Sequence, residues 1–125
     1  MAQIQIKPKN ILEPSEKVLR MYEAVNSFMF EKRDISTIKV VDITSAAGIG
    51  KGTAYEYFSS KEEIIASAMA YEYKNKITEL VNCMFAQSGF KNRVMNVMDW
   101  IYDNQEYNQL FSHIFNEVMG EPRLL

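Results

Sequence analysis

The sequence predicts an all-α protein, and three observations predict it. Apolar residues recur at steps of three and four from Val18 onward, the spacing that lines one face of a helix. The run Ser60-Lys61-Glu62-Glu63 has the form of a capping box, which starts a helix by satisfying its free amides. No stretch of the 125 residues shows the strict alternation of a half-buried strand. A chain of this length supports one compact domain, or a small domain and part of a second.

The elements follow in order. Residues 1–13 have no sustained periodicity, and Pro8 discourages regular structure, so they read as a flexible arm. From Ser15, a candidate N-cap, the residues Val18, Tyr22, Val25 and Met29 hold one helical face, widened by Leu19 and Phe28. A polar link through Lys32, Arg33 and Asp34 leads to a short helix from Lys39 to Ala47, with Val40, Ile43 and Ala47 in register. Gly48 supplies its left-handed C-cap. Val40 and Val41 are β-branched, but the Ala46-Ala47-Gly48 ending and the lack of a pairing partner argue against a strand.

Gly50 to Tyr57 reads as a second short helix. The Ser60 box then starts a long one at Lys61, whose apolar residues Ile65, Met69, Tyr73, Ile77, Leu80 and Met84 keep register to near Ala86. Ser88-Gly89 breaks the pattern. Phe90, Val94, Val97 and Ile101 mark another helix, and Tyr107, Phe111, Ile114 and Val118 a last one, with Gly120-Glu121-Pro122 closing it. The expected organisation is an arm at 1–13, a domain at 14–60, a linking helix at 61–86 and part of a further helical domain at 87–125.

Composition excludes several classes. Apolar stretches are interrupted long before the ~18 residues of a membrane span, and no signal-peptide pattern opens the chain, so a cytoplasmic protein is expected, with no membrane partner. The lone Cys83 cannot form an internal disulfide and reads as a small core residue, and no Cys/His spacing suits a metal. No cofactor is expected. His113, the single histidine, has no Ser or Cys partner at recognisable spacing, so the sequence does not read as an enzyme. The net charge of −2 is unevenly spread: through Lys61 there are nine basic against seven acidic residues, and beyond it five against nine. The slight basic excess sits where a phosphate backbone would want it.

The stretch Val40–Phe58 has what a helix-turn-helix requires: a small residue where two helices cross (Ala47), a glycine to reverse the chain (Gly48) and an apolar residue to grip the first helix (Ile49). Its run AGIGKGTAYEYFSSKEE is similar to the AGVSKGTLYHYFPSKEE type of signature of the TetR (tetracycline-repressor-like) family, and VVDIT resembles that motif's preceding helix. The resemblance extends from Val18 to about Met69, with the motif itself at about 39–58. It implies a three-helix DNA-binding domain joined by a long helix to a C-terminal helical domain, and a homodimeric, effector-responsive repressor on a palindromic double-stranded DNA operator.

Carried onto this chain, Lys51 would reach a phosphate or a guanine edge, and Gly52 would let backbone approach DNA closely. Thr53 would offer a hydroxyl and a methyl, while Tyr55 and Tyr57 would bind phosphates or pack on sugars and thymine methyls. Lys61, at the start of the long helix, reads as a phosphate ligand or as a solvated residue. Ser45 and Lys39 are candidates for base-edge and backbone contact. Glu56 reads as solvated or capping, with cytosine contact the alternative; Ile43, Ile49, Ala54 and Phe58 read as core.

Three departures stand out. Gly50 lies where serine is common, Ala54 where a larger aliphatic residue is, and the link from Glu31 to Ile38 lacks a glycine. Family chains run longer than this one, so a truncated chain or a reduced effector domain is expected. Phe85, Phe90, Trp100, Tyr102 and Phe111 are candidates to line a pocket for a small apolar effector, together with Met95, Met98, Phe115 and Met119. Their helical spacing suits a bundle core better. The alternative function is a helical ligand-binding or protein-interaction module without operator binding, against which the Lys51, Thr53, Tyr55, Tyr57, Lys61 set discriminates.

Overall fold

The computed structural model describes residues 4–119, and all regular structure among them is helical. Seven α-helices follow one another: α1 (Pro8–Leu12), α2 (Glu16–Phe30), α3 (Val40–Ala47), α4 (Lys51–Tyr57), α5 (Lys61–Phe85), α6 (Phe90–Asp103) and α7 (Gln105–Met119), with a 3-10 turn at Ile35–Thr37. The closing Gly120-Glu121-Pro122 lies outside the described residues.

α1 corrects the expectation of an arm without regular structure. Pro8 occupies the first turn, where its missing N–H costs nothing and its fixed φ suits a helix. Five residues cannot hold themselves helical, and tertiary contact supplies the rest. The Tyr22 hydroxyl donates to the Asn10 carbonyl at 2.7 Å, and Asn10 is buried against α2.

α2 begins where expected, with Ser15 Oγ accepting from the Val18 amide at 3.3 Å. Val18, Met21, Tyr22, Val25, Phe28 and Met29 form its buried face. Its end explains the missing glycine. Lys32 itself takes the left-handed conformation (φ 59°), so the Arg33 amide reaches the Phe28 carbonyl at 3.2 Å and the Lys32 amide that of Met29 at 2.9 Å. This is a Schellman closure made without glycine, and the Arg33 guanidinium lies 4.3 Å from the centre of the Phe28 ring. Asp34 then caps the 3-10 turn by accepting from the Ser36 amide at 3.0 Å, which holds its carboxyl below the usual range.

α3 closes its own start, the Asp42 carboxylate accepting from the Lys39 amide at 2.8 Å. It stops at Gly48, whose φ of 73° allows the Ile49 amide to reach the Thr44 carbonyl at 3.0 Å. The box that starts α5 differs by one residue from expectation: Ser60 Oγ accepts from the Glu63 amide at 3.1 Å, but Glu63 Oε1 accepts from Ser59 N, also at 3.1 Å, rather than from Ser60.

One core joins α2, α3, the α4 end and the first turns of α5. Met21, Tyr22, Ile43, Phe58, Ile64 and Ile65 are its largest fully buried side chains. α7 returns to this core through Ile114 and Val118. α6 does not, and none of its residues is buried. It is held to α5 by polar contacts instead: Asn96 Nδ2 donates to the Cys83 carbonyl at 3.0 Å, Trp100 Nε1 to Glu79 Oε1 at 3.0 Å, and Lys76 Nζ to Asn104 Oδ1 at 2.7 Å. Cys83, expected in the core, is only half-buried beside Asn96.

Candidate nucleic-acid interface

α4 is a seven-residue helix held by little of its own surface. Ala54 is its one fully buried residue, and Phe58, 1 % exposed, anchors the chain immediately after it. The other faces stay free. Lys51, Gly52, Tyr55 and Glu56 are exposed, Tyr55 to 50 %, while Thr53 and Tyr57 are half-buried along the edges. A short alanine at position 54 thus seats the helix close against the core beside Phe58, whereas a longer anchor would stand it further out.

Gly52 is the informative residue on this face. A Cβ built there meets no atom within 4 Å, so nothing inside the protein calls for glycine. Glycine in a helix costs roughly 1 kcal/mol relative to alanine. Gly52 lies in the first turn of α4, and its bare backbone leaves this exposed position open to close approach from outside.

The neighbouring candidates divide. Lys39, just before α3, and Ser45 on it are exposed and make no side-chain hydrogen bond within the described residues. Tyr57 packs partly on the core, and its carbonyl accepts from Lys7 Nζ at 3.3 Å and Asn10 Nδ2 at 3.4 Å. α1 thereby caps the C-terminal end of α4, where carbonyls lack partners and a cation is favoured. Lys61 is placed differently from the reading of its sequence position: its ammonium donates to the Ile35 carbonyl at 3.1 Å and ties the start of α5 to the 3-10 turn before α3.

Sequence reasoning missed Lys7 and Lys9 as neighbours of α4. They line a crevice of about 400 Å³ with Asn10, Glu56 and Tyr57, which brings two more cations to the edge of the exposed face. The only signal was their charge in a segment read as an arm.

The effector candidates do not come together. Phe85, Phe90 and Tyr102 are exposed on the outside of α5 and α6, and Trp100 faces Glu79. Met95 and Met98 are exposed as well, so the expectation that these side chains form a bundle core is corrected. Among the described candidates, Phe111 and Phe115 reach an apolar hollow, of about 400 Å³ between α5 and α7, where Met69, Ala70, Tyr73 and Val118 join them and Ile6 closes one side. His113 pairs with Glu117 at 2.7 Å on the outside of α7. Among the described residues no three His, Cys, Asp or Glu side chains are placed to hold a metal ion, and no helix is long and apolar enough to cross a membrane.

Residues 29–68 match the family model described as "Bacterial regulatory proteins, tetR family". No curated protein and no solved structure matches the chain. The matched segment runs from the last turn of α2 through α3 and α4 into α5, so it includes the exposed face of α4 and much of the core that holds it. Over this segment, about a third of the chain, it is similar to the DNA-binding region of the tetR family.

Proposed function

We propose that the chain is an effector-responsive repressor that binds a palindromic operator as a homodimer in the cytoplasm, with α4 of each copy in a major groove. The exposed face of α4, centred on a glycine that the fold itself does not need, carries this reading. Lys51 and Tyr55 reach base edges or phosphates from that face, Gly52 lets the backbone approach, and Thr53 and Tyr57 flank it. Lys39 and Ser45 supply contacts from α3. Lys61 keeps its charge within reach of the duplex while steadying the 3-10 turn, so its contribution is mainly positioning.

Residues 14–60 read DNA in this account, 61–86 link, and 87–125 belong to the dimerisation and effector part. The effector is a small apolar molecule seated in the hollow between α5 and α7. Aromatic and aliphatic walls suit such a ligand. α7 couples the hollow to the reading head because Val118 lines it while also sharing the core with α2. A ligand that wedges α7 from α5 therefore disturbs the platform under α4.

Selection of bound sites from random duplex DNA tests the reading. A palindromic consensus with half-sites about one helical turn apart is expected. Recovery of unenriched DNA would remove the operator from the account.

A further inference from the structure

α4 cannot hold its own direction. Its seven residues make about two turns, too few to persist without contacts to the rest of the chain. Gly50 gives its start no side-chain cap, and Ala54 is its one buried residue. Among the described residues, the side-chain hydrogen bonds that reach α4 come from Lys7 and Asn10, 50 and 47 positions away in sequence, and both end on the Tyr57 carbonyl.

Those bonds belong to a closed circuit. Asn10 Nδ2 donates to the Tyr57 carbonyl at 3.4 Å, while the main-chain carbonyl of Asn10 accepts from the Tyr22 hydroxyl at 2.7 Å. The Tyr22 ring lies 6.2 Å, centre to centre, from that of Phe58, the residue after Tyr57. α2, α1 and the end of α4 are thus tied through Tyr22, Asn10, Tyr57 and Phe58, of which Tyr22, Asn10 and Phe58 are buried. Lys7 adds a cation 3.3 Å from the same oxygen, at the carbonyl end of the helix, where positive charge is favoured. A buried asparagine is a costly way to pack a five-residue helix, because an apolar side chain fills space without needing partners for an amide. The partner that the Asn10 amide nitrogen has found is the last carbonyl of α4.

We propose that Asn10, assisted by Lys7, is a positioning residue for DNA recognition: it fixes the carbonyl end of α4, so that Lys51, Thr53 and Tyr55 meet the duplex in one orientation. The inference rests on the reading of α4 as the DNA-binding helix. Contact groups have to be held within about 0.5 Å of their productive places. With its end released, α4 spends part of its time tilted away, and apparent affinity falls in proportion to the fraction still competent to bind. The bound state meets the same phosphates as before, so its dependence on salt does not change.

Asn10→Leu separates positioning from support, because it fills the site and keeps the main-chain carbonyl that Tyr22 holds, losing only the amide. Fluorescence anisotropy on the selected duplex should show affinity about fivefold lower in Asn10→Leu, about twofold lower in Lys7→Met and about tenfold lower in the double variant. The slope of log affinity against log salt and the thermal midpoint should stay close to those of the parent chain. Amide exchange followed by NMR should quicken from Ala54 to Phe58 and not in α2 or α5. If Asn10→Leu fails to fold, Lys7→Met, at an exposed position, carries the same test at smaller size. Unchanged affinity for the selected duplex overturns the proposal, whatever the exchange shows. A slope lowered by about one in Lys7→Met makes that lysine a phosphate ligand and overturns its part in the tie. Faster exchange at the end of α4, in a chain that prefers no duplex, upholds the tie and removes the operator reading instead.

Discussion

The two ends of α5 sit in opposite environments. Its first turns contribute Ile64, Ile65, Ala68 and Met69 to a core shared with α2, α3 and α7, and every large side chain there is covered. Its last turns carry Ile77, Val81 and Phe85 to the surface, beside an α6 that buries nothing. A single helix thus joins a well-covered core to a stretch whose apolar residues are exposed among the described residues. Local patterning is equally regular in both. What differs is whether other elements return to cover the apolar stripe.

Substitutions at the two ends test that difference most severely. Phe58→Ala in the head should cost about 3–5 kcal/mol, the lost transfer energy and the cavity together. Phe90→Ala in the tail should change the stability of the monomer by less than about 0.5 kcal/mol. Urea unfolding at concentrations below association measures both. Equal effects would mean that α6 is packed in solution and the contrast is false.

A smaller loss should follow Tyr22→Phe, which removes the hydroxyl that holds α1 by the Asn10 carbonyl. About 1–2 kcal/mol is expected, since that carbonyl is left buried without its donor. The same residue gives the head an alkaline weakness. Burial pushes the Tyr22 phenol above its ordinary value of 10.0, and the Tyr107 phenol to about 12. A raised acid stays neutral in the folded chain where the unfolded chain would ionise. Stability is therefore whole below pH 10 and declines as pH rises above it, which thermal melts between pH 8 and 11 would follow. The decline should be shallower in Tyr22→Phe.

Two glycine exchanges sharpen the comparison at the sub-kilocalorie level. Gly52→Ala should raise the stability of the head by up to about 0.5–1 kcal/mol, because the methyl meets no protein atom, and should weaken DNA binding if the proposed face of α4 meets the duplex. A substitution that strengthens the fold and weakens binding separates the two roles of α4. Lys32→Gly should stabilise by about 0.5–1 kcal/mol by relieving the left-handed lysine that closes α2. Calorimetry reads both, and a destabilised Lys32→Gly would show that the stacking around Arg33 and Phe28 depends on the lysine.

Legibility followed the range of the interaction. Ser15, Gly48 and Ser60 act on residues a few positions away, so helix ends could be read directly from them, and the helix-turn-helix could be read from Ala47 to Glu63. Lys32 hid a glycine-type closure, because the left-handed φ is fixed by the surrounding chain rather than by its own residue type. α1 hid because five residues carry no period and its stability comes from Tyr22, twelve positions on. The ammonium of Lys61 could be seen as a cation at a helix start; its partner, the Ile35 carbonyl, is visible only once the fold brings it near. Periodicity in α6 identified an apolar stripe at Phe90, Val94, Val97 and Ile101 but could not say which way it would turn: Val97 is half-buried and the other three are exposed. The bonds made by Asn96, Trp100 and Asn104 decide it.

The central claim is that the outer face of α4 reads DNA, and a salt titration tests it most directly. Fluorescence anisotropy of the duplex recovered by selection, against a scrambled one, should show log affinity falling linearly with log salt, a clear preference for the selected duplex, and a slope reduced by about one in Lys51→Ala if that lysine holds a phosphate. Equal affinity for the two duplexes, or an affinity indifferent to salt, would contradict the account.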